Sequence, residues 1–239
     1  MIQVIDLCKS FDDFEALRGL SLKIEKGSIY GLIGINGSGK TTLIKHLTGV
    51  LRCDDGRIEI DGEDVYDNES VKYKTGYIPD DLYFFGSYTV TNMASFYKKV
   101  YPNWNQERFD KMIRAFELPM NRRIGKFSKG MQKQAAFALV MSTMPEYLIL
   151  DEPVDGLDPI VRKRIWKLIV SDVAERQMTV LVSSHNLREL EGLIDSVGIL
   201  KDGRMMLEKN DLGELEAEGG LLSLEELFFE EMGGDEIDF

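Results

Sequence analysis

Cysteine is scarce in this chain. Of 239 residues only Cys8 and Cys53 are cysteines, and they stand far apart. That count excludes a disulfide framework, and the separation excludes the paired spacing of a structural metal site. A reducing cytosol fits this usage. Long apolar runs are also lacking. The longest, around 135–144, is interrupted by Ser142 and Thr143 and falls short of the ~20 residues that span a bilayer. The chain is therefore expected not to cross a membrane by itself. The opening Met1-Ile2-Gln3-Val4-Ile5-Asp6 has no basic region followed by a long apolar one, so no signal peptide is read there.

An excess of positive charge is missing too. The net charge is −12, but twelve acidic residues and one lysine lie within 208–239, which leaves the body at −1. A near-neutral body offers no electrostatic reason to expect nucleic acid as a partner. Hydrophobic content of 44% and charged content of 29% are those of an ordinary globular protein with a sizeable core. The length fits one large domain, or one domain with a sub-lobe.

Gly34-Ile35-Asn36-Gly37-Ser38-Gly39-Lys40-Thr41-Thr42 is the stretch around which the rest is arranged. It follows the apolar run Ile29-Tyr30-Gly31-Leu32-Ile33 and precedes Leu43-Ile44-Lys45-His46-Leu47. Strand, glycine loop and helix in that order make a phosphate-binding loop. Glycines let backbone N–H groups turn inward around phosphate oxygens, and the helix N-terminus adds the positive end of its dipole. Lys40 is placed to reach the β- and γ-phosphates, and Thr41 offers a hydroxyl to Mg²⁺.

Elsewhere the pattern predicts strands at 2–7, 20–24, 57–62 and 74–79, with a polar turn carrying Phe11 and Phe14 between the first two. From 89 to about 144 it turns helical. Phe109, Met112, Ile113 and Phe116 share one helical face, and a long helix is expected over 128–144, capped by Ser128 and stopped by Pro145. Tyr147-Leu148-Ile149-Leu150-Asp151-Glu152-Pro153 reads as a buried strand ending in two carboxylates. Asp158 and Pro159 open the next helix. A strand over 178–182 ends in Ser183-Ser184-His185, a helix is expected over 187–194, and a hairpin turns at Lys201-Asp202-Gly203. Strands alternating with helices mean a mostly parallel sheet covered on both faces.

These motifs together resemble the ATP-binding subunits of ATP-binding cassette (ABC) transporters. The resemblance covers about 2–232 and is nearest to the single-cassette branch of antibiotic and bacteriocin export or resistance. It implies an α/β P-loop NTPase fold, with a mostly parallel sheet, an N-terminal antiparallel β subdomain and an inserted helical sub-lobe at about 87–144. Residues 233–239 are read as a mobile acidic tail, and 221–232 as the family's C-terminal helix, with Leu224, Leu227 and Phe228 on one face.

The resemblance also assigns roles. ATP is held by Asn36, Gly37, Ser38, Gly39, Lys40, Thr41 and Thr42, with Phe11 stacked on adenine and Phe14 its rival. Asp151 holds Mg²⁺, Glu152 polarises the attacking water and His185 contacts the γ-phosphate. Phe127-Ser128-Lys129-Gly130-Met131-Gln132 resembles the signature motif, whose Ser128 and Gly130 reach the ATP of a facing subunit. Asp158 belongs to the loop that crosses the dimer interface, and Asp155 replaces the serine common there. Asp80 stands where the family usually has glutamine, keeps the capacity to bind metal, and adds negative charge beside Asp151 and Glu152. Arg122, Arg123, Lys126, Lys129 and Lys133 are read as a solvated basic face, with ATP guidance and lipid headgroups as alternatives.

The function so implied is ATP hydrolysis in a homodimer or heterodimer that drives an integral membrane permease on a separate chain. The protein would lie in the cytoplasm, peripheral to the membrane through that permease. A non-transport ABC ATPase or a bare ATP-binding regulator is the alternative.

Overall fold

The computed structural model describes residues 1–210, 212 and 224–232. The expected tail at 233–239 and the first residues of the expected C-terminal helix lie outside these. The helix itself is present as Leu224–Met232, and Leu224 is buried against the core.

Two sheets make the frame. The first is antiparallel, formed by β1 (Ile2–Phe11), β2 (Phe14–Ile24), β4 (Asp55–Ile60) and β5 (Glu63–Asp64) in the order β2-β1-β4-β5. β1 and β2 run further than the sequence pattern suggests. Phe11 pairs with Phe14 across a two-residue turn, with Asp12 in the left-handed region at φ 50. A tight hairpin tolerates an aspartate at that φ, so the polar stretch costs no strand length.

The second sheet has the order β10-β9-β3-β8-β7-β6. It contains β3 (Ile29–Ile33), β6 (Thr75–Ile78), β7 (Tyr147–Asp151), β8 (Thr179–Ser184) and the hairpin β9 (Ser196–Lys201)–β10 (Arg204–Asn210). β3, β6, β7, β8 and β9 are parallel to one another; β10 is antiparallel. The central strands are buried on both faces, yet their side chains still alternate between two cores. Ile29, Ile33, Leu148, Leu150, Val180 and Val182 join one cluster; Tyr30, Leu32, Tyr147, Ile149 and Leu181 join the other. The second cluster also takes Leu43, Ile44 and Leu47 of α1 (Lys40–Leu47) and the inner face of the antiparallel sheet.

The first cluster is covered by the helical part of the chain. α2 (Glu69–Lys74) leads into β6; α3 (Val90–Val100), α4 (Gln106–Phe116), α5 (Lys129–Met141) and α6 (Pro159–Arg176) follow. α5 is buried continuously from Ala135 to Met141. It ends three residues before the expected 144. The Ser142 and Thr143 hydroxyls donate back to Ala138 O and Val140 O at 2.6 and 2.8 Å, and Met144 turns left-handed ahead of Pro145. α4 is tied to α6 through Asp172, whose Oδ2 accepts from Arg108 at 2.6 Å and Arg176 at 2.8 Å. Removing one member of such a buried ionic cluster costs about 3–5 kcal/mol, because the partners are left uncompensated.

The helix expected over 187–194 does not form. Only Leu187–Glu189 makes a 3₁₀ turn, and Gly192 sits at φ 70, outside the helical region. The C-terminal helix Leu224–Met232, here α7, packs beside that turn, where Arg188 pairs with Glu225.

The parallel register decides where chemistry can occur. Ile33 lies level with Ser184, Leu150 with Val182 and Ile78, and Asp151 with Ser183. The phosphate loop, Asp80, Glu152 and His185 therefore all emerge at the carboxyl ends of adjacent parallel strands. That edge is where open α/β sheets present their binding crevice.

Candidate nucleotide site

A cavity of 360 Å³ opens at this edge. Its walls are Phe14, Ala16, Asn36, Gly37, Gly39, Lys40, Thr41, Thr42, Asp80, Asp151 and Glu152. The loop geometry follows from its glycines. Gly37 and Gly39 have φ of 83 and 111, and a Cβ on Gly39 would lie 3.0 Å from Ala16 O. Only glycine fits that backbone. Gly39 also occupies the N-cap position of α1, so no side chain caps the helix. Its first-turn N–H groups are left for an anion. Ser38 Oγ is buried without a hydrogen-bond partner.

Lys40 is nearly buried and folds back on its own loop. Its Nζ donates to Gly34 O at 2.6 Å and Ile35 O at 3.2 Å. Burial lowers its pKa, and the charges of Glu152 and Asp151 oppose that. The ammonium thus sits among the loop carbonyls at the cavity wall.

Phe11 does not line the cavity. Its ring is 43% exposed and lies under Lys9 Nζ at 5.5 Å. Phe14 lines it instead, with Ala16 beside it, because residues two apart on β2 share a strand face. The two phenylalanines are cross-strand partners at the hairpin end, and Phe14 is the one at the cavity wall.

Asp151 ends β7 and Glu152 follows it outside the strand, and both line the cavity. Asp151 is buried, and its Oδ1 accepts from Ser183 Oγ at 2.6 Å. Glu152 N–H donates to the same Ser183 oxygen at 3.2 Å. Glu152 itself adopts φ 45, a conformation that costs a non-glycine residue ~1–3 kcal/mol and needs its surroundings to hold it. Its Oε2 lies 3.0 Å from His185 Nδ1. Burial raises the Glu152 pKa, with the His185 contact opposing. The hydrogen bond to Glu152 raises that of His185, with its own desolvation opposing. Asp155 completes a group with these two, its ligand atom within 4.8 Å of theirs.

The sign of the pH response follows. A raised histidine pKa keeps the imidazolium charged through the usual ~6.5 until pH exceeds the raised value, while the raised carboxyl pKa of Glu152 sets the lower edge of the pair, which is lost as pH falls through it. In the nucleotide-free protein, an NMR titration of His185 is expected to have its midpoint above ~6.5, and Glu152→Gln should move it down. A midpoint unmoved by that substitution would contradict the pair.

The signature residues lie apart from this cavity. Ser128 caps α5, accepting from Met131 N at 3.3 Å, and is exposed. Neither Ser128 nor Gly130 lines the cavity. Asp158 caps α6, accepting from the N–H groups of Ile160 and Val161 at 3.0 Å each, with Pro159 at the first helical position.

The basic cluster is not uniformly solvated. Lys133 is buried, and its Nζ donates to Glu152 O at 2.8 Å and Asp80 Oδ1 at 3.4 Å. A lysine among polar neighbours on a helix carries no local sign of burial. Ser183 was also not singled out from sequence; its place beside His185 at a strand end was the available signal.

The sequence model for the ABC transporter family matches residues 17–155, more than half of the chain. The chain belongs to the ABC transporter family. As a member of this family it is an ATP-binding subunit that hydrolyses ATP. The chain is 33% identical to the ABC transporter ATP-binding protein YtrB of Bacillus subtilis over 218 residues, covering 91% of this chain and 74% of that one. It is 35% identical to the bacitracin transport ATP-binding protein BcrA of Bacillus licheniformis over 211 residues, covering 87% and 69%. A solved ATP-binding subunit of an ABC transporter superposes with a TM-score of 0.88 at 27% identity, covering 97% of this ABC ATPase and 99% of that chain. Family members generally dimerise and work with transmembrane subunits. Among the described residues of this ABC ATPase, no helix is long and apolar enough to cross a membrane.

Proposed function

We propose that two copies of this ATPase, or one copy and a related subunit, enclose two ATP molecules and drive an export permease on a separate chain. The observation that carries this reading is the division of the site. One chain supplies the phosphate loop and both carboxylates to a single cavity, while its exposed Ser128 cap and Gly130 lie outside that cavity. Such a half-site is completed by the helix N-terminus of a facing subunit.

Within it, Asn36, Gly37, Ser38, Gly39, Lys40, Thr41 and Thr42 hold the phosphates and Phe14 faces the adenine. The oxygen donors Thr41, Asp80 and Asp151 suit Mg²⁺, which when bound neutralises charge on the phosphate oxygens. Glu152 orients and polarises the water, and His185 holds Glu152 and reaches the γ-phosphate. The Asp158 cap fixes the interface loop at the start of α6. We take 1–232 as one ATPase unit with a helical sub-lobe at about 87–144.

The permease is expected to dock on the aromatic patch after Asp80. Tyr83 is 84% exposed, and Phe85 and Phe96 remain over 40% exposed. Their rings contact one another, with Phe85 5.8 Å from Phe96 and 6.4 Å from Tyr83. A contiguous exposed aromatic surface on a body with little net charge is a protein contact site. The protein would then lie on the cytoplasmic face of the membrane. The tagged ATPase, expressed from its native locus, should co-purify from detergent-solubilised membranes with an integral membrane protein. Tyr83→Ser with Phe85→Ser should lose that partner and retain basal ATP turnover. Recovery of the native protein only in a complex without a membrane protein would favour the non-transport alternative.

A further inference from the structure

We propose that Lys133 is a positioning residue for ATP hydrolysis, holding the Glu152 peptide and pairing with Asp80 so that the helix capped by Ser128 is mechanically tied to the catalytic carboxylate. It rests on the reading of Glu152 above.

Lys133 lies on α5, five residues beyond the Ser128 cap, and its side chain is 7% exposed. A buried ammonium requires acceptors, and it finds two in different segments: the carbonyl of Glu152 and the carboxylate of Asp80. The backbone of Glu152 is thereby held on both sides of its Cα, its N–H by Ser183 and its C=O by Lys133. Because Glu152 is left-handed at φ 45, the direction of its side chain depends on those two hydrogen bonds. Asp80 forms the wall shared by the ATP cavity and a neighbouring one of 350 Å³ that Lys133 also lines. The Asp80 carboxylate thus faces a cation from α5 at 3.4 Å. The two residues act as a unit: a movement of α5 is felt at Asp80 and at the Glu152 peptide together.

Removing the ammonium frees the Glu152 carbonyl, its 2.8 Å acceptor, and releases the half-exposed Asp80 carboxylate at 3.4 Å. Lys133→Met is expected to lower kcat about 10–100-fold while KM for ATP and the affinity for a fluorescent ATP analogue stay within about 3-fold. In the protein without nucleotide, amides of 150–156 should exchange faster with deuterium while the rest of β7 and β8 keep their protection. Asp80→Asn should lower kcat in both backgrounds, since Asp80 is among the proposed Mg²⁺ donors, and the two losses should combine less than additively because Lys133 acts partly through Asp80. Lys133→Gln, which keeps a donor for the carbonyl without the charge, should fall between parent and Lys133→Met. It serves as the primary variant if Lys133→Met does not fold.

Unchanged kcat in the Lys133 variants overturns the proposal, as do additive effects with Asp80→Asn or a uniform loss of exchange protection. If Glu152→Gln itself leaves turnover intact, the reading of Glu152 fails instead. The exchange measurement and the Asp80 cycle then still decide whether the clamp exists.

Discussion

Glu152→Gln should bind ATP as the parent does and turn it over about 10²–10⁴-fold more slowly, the range a positioned general base contributes. The amide keeps the size of the side chain and can still accept a hydrogen bond from His185. It loses the negative charge that polarises water. Nothing in the phosphate loop is touched, so affinity for ATP is expected to remain. In the proposed cycle hydrolysis reopens the enclosed pair, so the variant should accumulate as an ATP-bound dimer. Size-exclusion chromatography with multi-angle scattering in Mg·ATP would detect it. Retained turnover would remove Glu152 from its assigned role. The loss of the imidazolium pair, visible in the His185 titration, would remain in either case, since that contact exists without nucleotide.

Gly130→Ala is expected to separate folding from function. Gly130 is the second residue of α5, a helical position with no positive φ. A Cβ there would meet Gly156 O at 3.5 Å and Leu157 Cδ2 at 3.6 Å, ordinary contacts. The chain's own packing therefore does not demand glycine. Alanine is the better helix former by about 0.5–1 kcal/mol, so the melting temperature should hold or rise by about 2–4 °C. Turnover should nevertheless fall about 10–100-fold, because a methyl group would hold the facing phosphate out of reach of the helix N-terminus. ATP binding by the isolated subunit should be unaffected. A stable variant with parental turnover would show that the signature helix makes no close approach to ATP.

What the chain determined by itself is local chemistry. A strand, a glycine loop carrying Lys40 and Thr41, and a helix suffice to make a phosphate cradle, since backbone φ and helix-end N–H groups depend on neighbours in sequence. The same holds for the Ser128 and Asp158 caps and for a strand ending in two carboxylates. These were legible because each requirement is met within a few residues. The helix expected over 187–194 failed for the converse reason: its apolar spacing was suggestive, but Gly192 took a left-handed turn.

Tertiary structure decided what depends on register and burial. Phe14 lines the cavity and Phe11 does not, although both are aromatic and the two are paired across the β1–β2 hairpin. Glu152 meets His185, 33 positions away, because β7 and β8 align Asp151 with Ser183. Lys133 looks like any lysine on a polar helix face until α5 is packed under the sheet and its ammonium finds Asp80 and the Glu152 carbonyl. The glycine loop was thus legible in the sequence, whereas the Glu152–His185 and Lys133–Asp80 pairings were assembled by the fold. Loop conformation is a short-range property of the backbone; the pairing of charges across strands and helices arises only when distant segments share one buried edge.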